Sequence, residues 1–142
     1  MNAIGRSVSV ASTLKWRKAM SEPFTYRIAR NTIRVYDGDT FKCSIDLGFS
    51  IILENQSVRL SGINCPEIRT KDKREKALGY EAKEKLIEIL DEATQITLQS
   101  LGKGKFGRVI SICYADGQNV NDMMVESGLA RPYDGGKRSS WF

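Results

Sequence analysis

Three short clusters in this 142-residue chain carry the residue types that polar chemistry needs. Asp37-Gly38-Asp39-Thr40 puts two carboxylates and a hydroxyl on one turn. Arg59 through Glu67 opens with a guanidinium and closes on Asn64-Cys65-Pro66-Glu67. Lys105-Phe106-Gly107-Arg108 supplies an ammonium, an aromatic ring and a second guanidinium. Taken singly, each has an ordinary structural meaning: a hairpin turn, a loop that leads into a helix, the beginning of a strand. As a set they offer more. Carboxylate and carbonyl oxygens can hold a hard divalent cation. Arginine presents a planar, permanently charged fork that matches phosphate oxygens in a way lysine does not. A carboxylate such as Glu67 can orient or deprotonate water. Charge stabilisation with water activation is what cleavage of a phosphodiester demands.

What the chain lacks narrows the choice further. It contains no histidine, which removes Ser-His-Asp and Cys-His triads, His-ligated zinc and His proton shuttles together. Its three cysteines, Cys43, Cys65 and Cys113, are odd in number and widely spaced. Neither a disulfide framework nor a zinc site follows, and a reducing, cytoplasmic compartment is the easier expectation. The net charge of +5 and pI near 9.2 permit a polyanionic partner without requiring one. No apolar run approaches the roughly 18 residues that span a bilayer, so no membrane partner is expected.

The elements that must position these clusters can be read from hydrophobic period. Residues 1–21 hold Arg6, Lys15, Arg17 and Lys18 and no acid. They lack the apolar periodicity needed to dock, and read as a basic, disordered extension ahead of one domain over 22–142. Phe24–Val35, Thr40–Ile45, Ser50–Leu53 and Ser57–Leu60 read as strands. The turns between them are D-G-D at 37–39, where Gly38 is expected to supply backbone freedom, Asp46-Leu47-Gly48, and Glu54-Asn55-Gln56. Leu78, Ala82, Leu86 and Ile89/Leu90 recur at helical spacing, predicting a helix over about 75–91. Thr94–Leu101 and Arg108–Tyr114 read as later strands around Gly102–Gly107, followed by a short helix near 120–127 that ends at Gly128. Five or six short strands with two or three short helices predict a closed β-barrel of the OB type.

In this order the clusters resemble the staphylococcal nuclease homologues. The family pattern is a D-G-D-T turn, an Arg-Leu strand leading to Pro-Glu, a helix, then a Gly-Arg strand. Here these are Asp37–Thr40, Arg59-Leu60 with Pro66-Glu67, the helix near 75–91, and Gly107-Arg108. Tyr114-Ala115-Asp116-Gly117, Val120-Asn121 and Gly128-Leu129-Ala130 extend the likeness to about residues 24–131. The resemblance implies a five-stranded Greek-key OB barrel and a metal-dependent nuclease that cuts DNA, with RNA as a second substrate, at low sequence specificity. It assigns Arg59, Glu67 and Arg108 as the catalytic set and Asp39, Asn64 and the Cys65 backbone carbonyl as metal ligands. Asp37 and Thr40 have supporting places. Calcium is the first cation implied, with magnesium or manganese as alternatives, and a monomer is expected.

The chain departs from the staphylococcal pattern in three places. Asn64 stands where the family has a second metal-binding aspartate, which removes one negative charge from the cage. Cys65 replaces a threonine whose backbone carbonyl coordinates. After Gly128-Leu129-Ala130 the sequence leaves no room for a long C-terminal helix, and Trp141 and Phe142 are expected to cover that flank. Lys71, Lys73, Arg74, Lys76, Lys103 and Lys105 could track a phosphate backbone, with Phe106 and Tyr133 stacking on bases. The rival reading is an OB-type module that binds single-stranded nucleic acid without cutting it. The acid and both arginines favour the enzyme.

Overall fold

The computed structural model describes residues 24–142; the expectation for residues 1–21 lies outside them. Strands β1 (Thr25–Asp37), β2 (Thr40–Asp46) and β3 (Ile52–Leu60) form an antiparallel meander. A two-residue β4 (Ile63–Asn64) leads through a loop into helix α1 (Lys73–Glu92). Then come β5 (Ile96–Lys103), β6 (Val109–Ala115), β7 (Gln118–Asn119), helix α2 (Val120–Glu126) and β8 (Arg131–Pro132). Neighbours run β3-β2-β1-β5-β6, and β6 returns to pair with β3. That last ladder is the parallel one, from Val58↔Val109 to Leu60↔Ser111. Among the described residues it closes a five-stranded mixed barrel with two α-helices, the OB-type architecture expected from the sequence.

Alternation along the strands fills the barrel. Phe41, Cys43 and Ile45 point inward from β2, and Val109, Ser111, Cys113 and Ala115 from β6. Helix α1 buries one stripe, Gly79, Ala82, Leu86, Ile89 and Leu90, and lies against β1. Burying each large apolar side chain of this kind contributes about 1.5–3 kcal/mol. Asp72 caps the helix, its carboxylate accepting from the N–H groups of Arg74 and Glu75. Asn121, on α2, ties the end of β3 to β6. Its Nδ2 donates to the carbonyls of Ser61 (2.8 Å) and Ser111 (3.2 Å), and its Oδ1 accepts from the Cys113 N–H (3.1 Å).

The structure corrects two local expectations. Glu54-Asn55-Gln56 is not a turn, because β3 runs unbroken from Ile52 to Leu60. Cys43 faces Gln56 and Ile45 faces Leu53, so two residues of β3 oppose Ser44 alone. This is a β-bulge, and Asn55 absorbs it at φ 52°, a conformation asparagine tolerates. Gly38, in turn, is not among the residues with positive φ. Its lack of a side chain serves close approach: an added Cβ would sit 2.7 Å from both the Ala82 Cβ and the Cys65 Sγ. No helix among the described residues is long and apolar enough to cross a membrane.

Candidate active site

Barrel closure brings the first two clusters to the third. In the β2–β3 ladder Thr40 lies opposite Arg59, and the Leu60 N–H donates to the Asp39 carbonyl at 2.9 Å. The D-G-D-T turn therefore sits beside the start of the Arg59-Leu60 pair. The parallel ladder begins at Val58↔Val109, which sets Arg108, one residue earlier, at the same rim. The loop after β4 completes the group. Its Cys65 N–H donates to Asp39 Oδ2 at 2.9 Å, and the Glu67 N–H donates to Glu75 Oε2 at 2.9 Å on the first turn of α1. Gly79 lets the helix backbone come close to Pro66 and Glu67, where an added Cβ would meet their backbone at 3.0–3.1 Å.

The result is a cavity of about 350 Å³ lined by Asp37, Asp39, Thr40, Arg59, Glu67 and Arg108, with Tyr36, Lys42, Ser57 and Arg138. The supporting, catalytic and one of the metal-ligand positions expected from the sequence thus meet in one place. Arg59 is buried and locked. It donates from Nη1 to the Leu60 carbonyl (2.7 Å) and from Nη2 to the Ile63 carbonyl (2.8 Å), and Nη2 lies 3.5 Å from Asp39 Oδ2. Asp39 Oδ1 accepts from the Thr40 hydroxyl at 3.0 Å, and the Asp39 N–H donates to Asp37 Oδ1 at 3.1 Å. Burial first, and then the negative charge of Asp39, pushes the Asp37 carboxyl up to about 7. Asp39 is buried and Asp37 half-buried, an arrangement of adjacent acids that a shared proton or a bound cation would relieve. Arg108 has a buried Nε with no hydrogen-bond partner among the described residues, an unmet donor that an anion can satisfy.

Asn64 is placed differently. It is buried on β4 opposite Arg131 and lines a neighbouring depression with Tyr133 and Lys137, not the acid cavity. Its Oδ1 is buried without a hydrogen-bond partner, one residue from the Cys65 N–H that holds Asp39. No group of three or more Cys, Asp or Glu side chains forms a metal cage among the described residues. The oxygen donors lining the acid cavity include the Asp37 and Asp39 carboxylates and the Thr40 hydroxyl, with the orphaned Asn64 amide oxygen in the adjoining depression. Oxygen donors of this kind are the type that suits a hard cation. Cys65 contributes no thiolate, since burial pushes its thiol well above the ordinary range.

Of the expected substrate contacts, Lys105 and Phe106 are exposed and lie outside the cavity lining. Phe106 adopts φ 64°, and the Arg108 guanidinium lies 6.0 Å from its ring centroid. Tyr133 lines the depression beside Asn64 and donates its hydroxyl to the Gly136 carbonyl at 2.7 Å. The residue that sequence reasoning missed is Arg138. It lines the acid cavity and forms an ion pair from Nη1 to Glu67 Oε1. No pattern in the polar tail distinguishes it.

Comparison with known proteins identifies the family. The model of the staphylococcal nuclease homologues matches residues 57–140 of the 142. The chain belongs to this family. Arg59, Glu67, Arg108 and Arg138 of this nuclease homologue fall inside the matched stretch, whereas the Asp37–Thr40 turn precedes it. The chain is also 27% identical, over 130 residues, to a Haemophilus influenzae protein described as an uncharacterized endonuclease. That alignment covers 92% of this nuclease homologue but 66% of the relative, so the chain spans just under two thirds of the relative's length.

Proposed function

We propose that the protein is a metal-dependent nuclease that hydrolyses phosphodiester bonds in DNA, and in RNA as a second substrate, with little sequence preference. The observation that carries this reading is one cavity holding Arg59, Arg108 and Glu67 beside the paired acids Asp37 and Asp39. In this reading Glu67 accepts a proton from the attacking water. Arg59, held rigid by the two carbonyls, and Arg108, with its unmet Nε donor, stabilise charge building on the phosphoryl oxygens. Preorganised donors of this kind do not have to reorient during the reaction. Asp37 and Asp39 would hold a hard divalent cation in the cavity, and the family resemblance adds the Cys65 carbonyl and, from the adjoining depression, Asn64 Oδ1. The cation's chemistry there is neutralisation of phosphate charge and lowering of the pKa of bound water. Calcium, magnesium and manganese all suit oxygen donors, and the latter two keep more water in their shells.

Low sequence specificity follows from contacts that address phosphate and not base edges. The direct test is hydrolysis of denatured DNA and of RNA with each cation, with and without chelator. Cleavage that chelator abolishes supports the reading. Tight nucleic-acid binding with no cleavage under any cation would replace it with a binding module.

A further inference from the structure

The C-terminal tail does not simply cover a flank; it delivers a cation to the carboxylate proposed as the base. From β8 the chain turns at Asp134-Gly135-Gly136, with Gly135 at φ 94° and the Gly136 N–H donating to Asp134 Oδ1 at 3.0 Å. Two residues later Arg138 pairs with Glu67. The tail is fastened on both sides of this residue by contacts outside the cavity. Before it, the Tyr133 N–H donates to the Gly62 carbonyl at 2.8 Å. After it, Arg131 Nη1 donates to the Ser140 carbonyl at 2.8 Å and the Arg131 guanidinium stacks 3.8 Å from the Trp141 ring centroid. Farther on, Arg74 of α1 lies 4.6 Å from the centroid of Phe142.

The three arginines of the cavity are held in different ways. Arg59 is fixed by two backbone carbonyls, and Arg108 has its Nε buried. Arg138 and Glu67 are 48% and 40% exposed, so solvent screens their pair and makes it easy to exchange. A carboxylate oxygen engaged by a guanidinium is also not free to hold a water in the cavity. A phosphate entering the cavity competes with Glu67 for the same fork.

We propose that Arg138 is a phosphate-binding residue that latches Glu67 in the free protein and is drawn off it by substrate phosphate, which releases Glu67 for water. This deepens the nuclease reading and rests on it. The latch couples occupancy to activation: the base is freed when there is a phosphodiester to attack. It also makes the tail, and not the barrel alone, part of the substrate site.

The test is a binding cycle without turnover, run in chelator with a short labelled single-stranded oligonucleotide. Arg138→Ala is expected to weaken binding about tenfold, the scale of one charge-assisted hydrogen bond to phosphate, with Arg138→Lys recovering part of the loss. Glu67→Gln is expected to tighten binding in the wild-type background and to do so much less in Arg138→Ala, where there is no fork to release. Equal tightening in both backgrounds is a general charge effect and would overturn the latch. In steady state, Arg138→Ala should raise KM while kcat holds; a fall in kcat with KM unchanged would make Arg138 a holder of Glu67 and refute phosphate binding. Cleavage by wild type with no effect of Arg138→Ala on Kd or KM defeats the latch alone. Neither cleavage nor binding by wild type defeats the nuclease reading, and the latch with it.

Discussion

Asp39 and Cys65, 26 positions apart in sequence, are joined by a 2.9 Å hydrogen bond from the Cys65 backbone N–H to Asp39 Oδ2. The same carboxylate oxygen lies 3.5 Å from Arg59, with both side chains about nine-tenths buried. One side chain thus ties the acidic turn to the Glu67 loop and offsets a buried guanidinium. Removing it leaves that charge uncompensated. Asp39→Ala should therefore destabilise the fold by about 3 kcal/mol, and Asp39→Asn by less, because an amide oxygen can still accept from Cys65. Urea unfolding in chelator measures both; equal, small losses would show that Arg59 depends on its carbonyl partners alone.

Gly38 makes a prediction opposite to its usual role in turns. Because an added Cβ would lie 2.7 Å from Ala82 and Cys65, the turn has to move away from α1 and the loop. Gly38→Ala should cost about 1–3 kcal/mol, the range for overpacking, and should lower turnover by displacing Asp37 and Asp39 from Glu67. Unfolding midpoints together with rates check it. A stabilised variant, the outcome expected if chain entropy dominated, would contradict the close packing.

The thiols supply a pH dependence away from the acid cavity. Burial pushes Cys43, and burial with a contribution from Cys43 pushes Cys113, from an ordinary 9.0 up to about 12. These are acids with raised folded-state pKa values. The unfolded chain releases its thiol protons first, so their contribution to stability is complete below pH 9.0 and is lost as pH rises toward about 12. Native protein should resist thiol reagents at pH 8, with all three free cysteines reacting after denaturation. Rapid labelling of the folded protein would contradict the burial.

Asn64 tests the metal reading. Its buried Oδ1 has no hydrogen-bond partner, so Asn64→Asp would bury a charge with no hydrogen bond to it, in the depression it shares with Arg131 and Lys137. The variant should be less stable than wild type in chelator and should recover when cation is added. Its cation midpoint for activity should fall by a few-fold, corresponding to about 1 kcal/mol for a partly solvated charge pair. Titration with calcium, magnesium and manganese reads this directly. If every midpoint stays unchanged, Asn64 does not face the ion.

Much of this fold was legible because it rests on period and turn chemistry. The stripe from Ala82 to Leu90 revealed α1, and the D-G-D-T and Gly-Arg pieces marked the rim where Asp39, Arg59 and Arg108 meet. The misreadings came from residues whose meaning is set by distant partners. Glu54-Asn55-Gln56 has turn composition, yet the register against Ser44 makes it a bulge. Gly38 looks like a source of backbone freedom until α1 is laid across it. Arg138 sits in a polar tail without period, and its partner Glu67 is 71 residues away, so only the folded chain brings them together.

Glu67→Gln, assayed on denatured DNA beside wild type at saturating divalent cation, addresses the mechanism most directly. The substitution keeps shape and removes the proton acceptor, so turnover should fall by at least about 10²-fold, while circular dichroism and oligonucleotide binding show a folded, competent site. Arg108→Ala should fall comparably through lost charge stabilisation. A wild-type rate in Glu67→Gln would contradict a carboxylate base at this position.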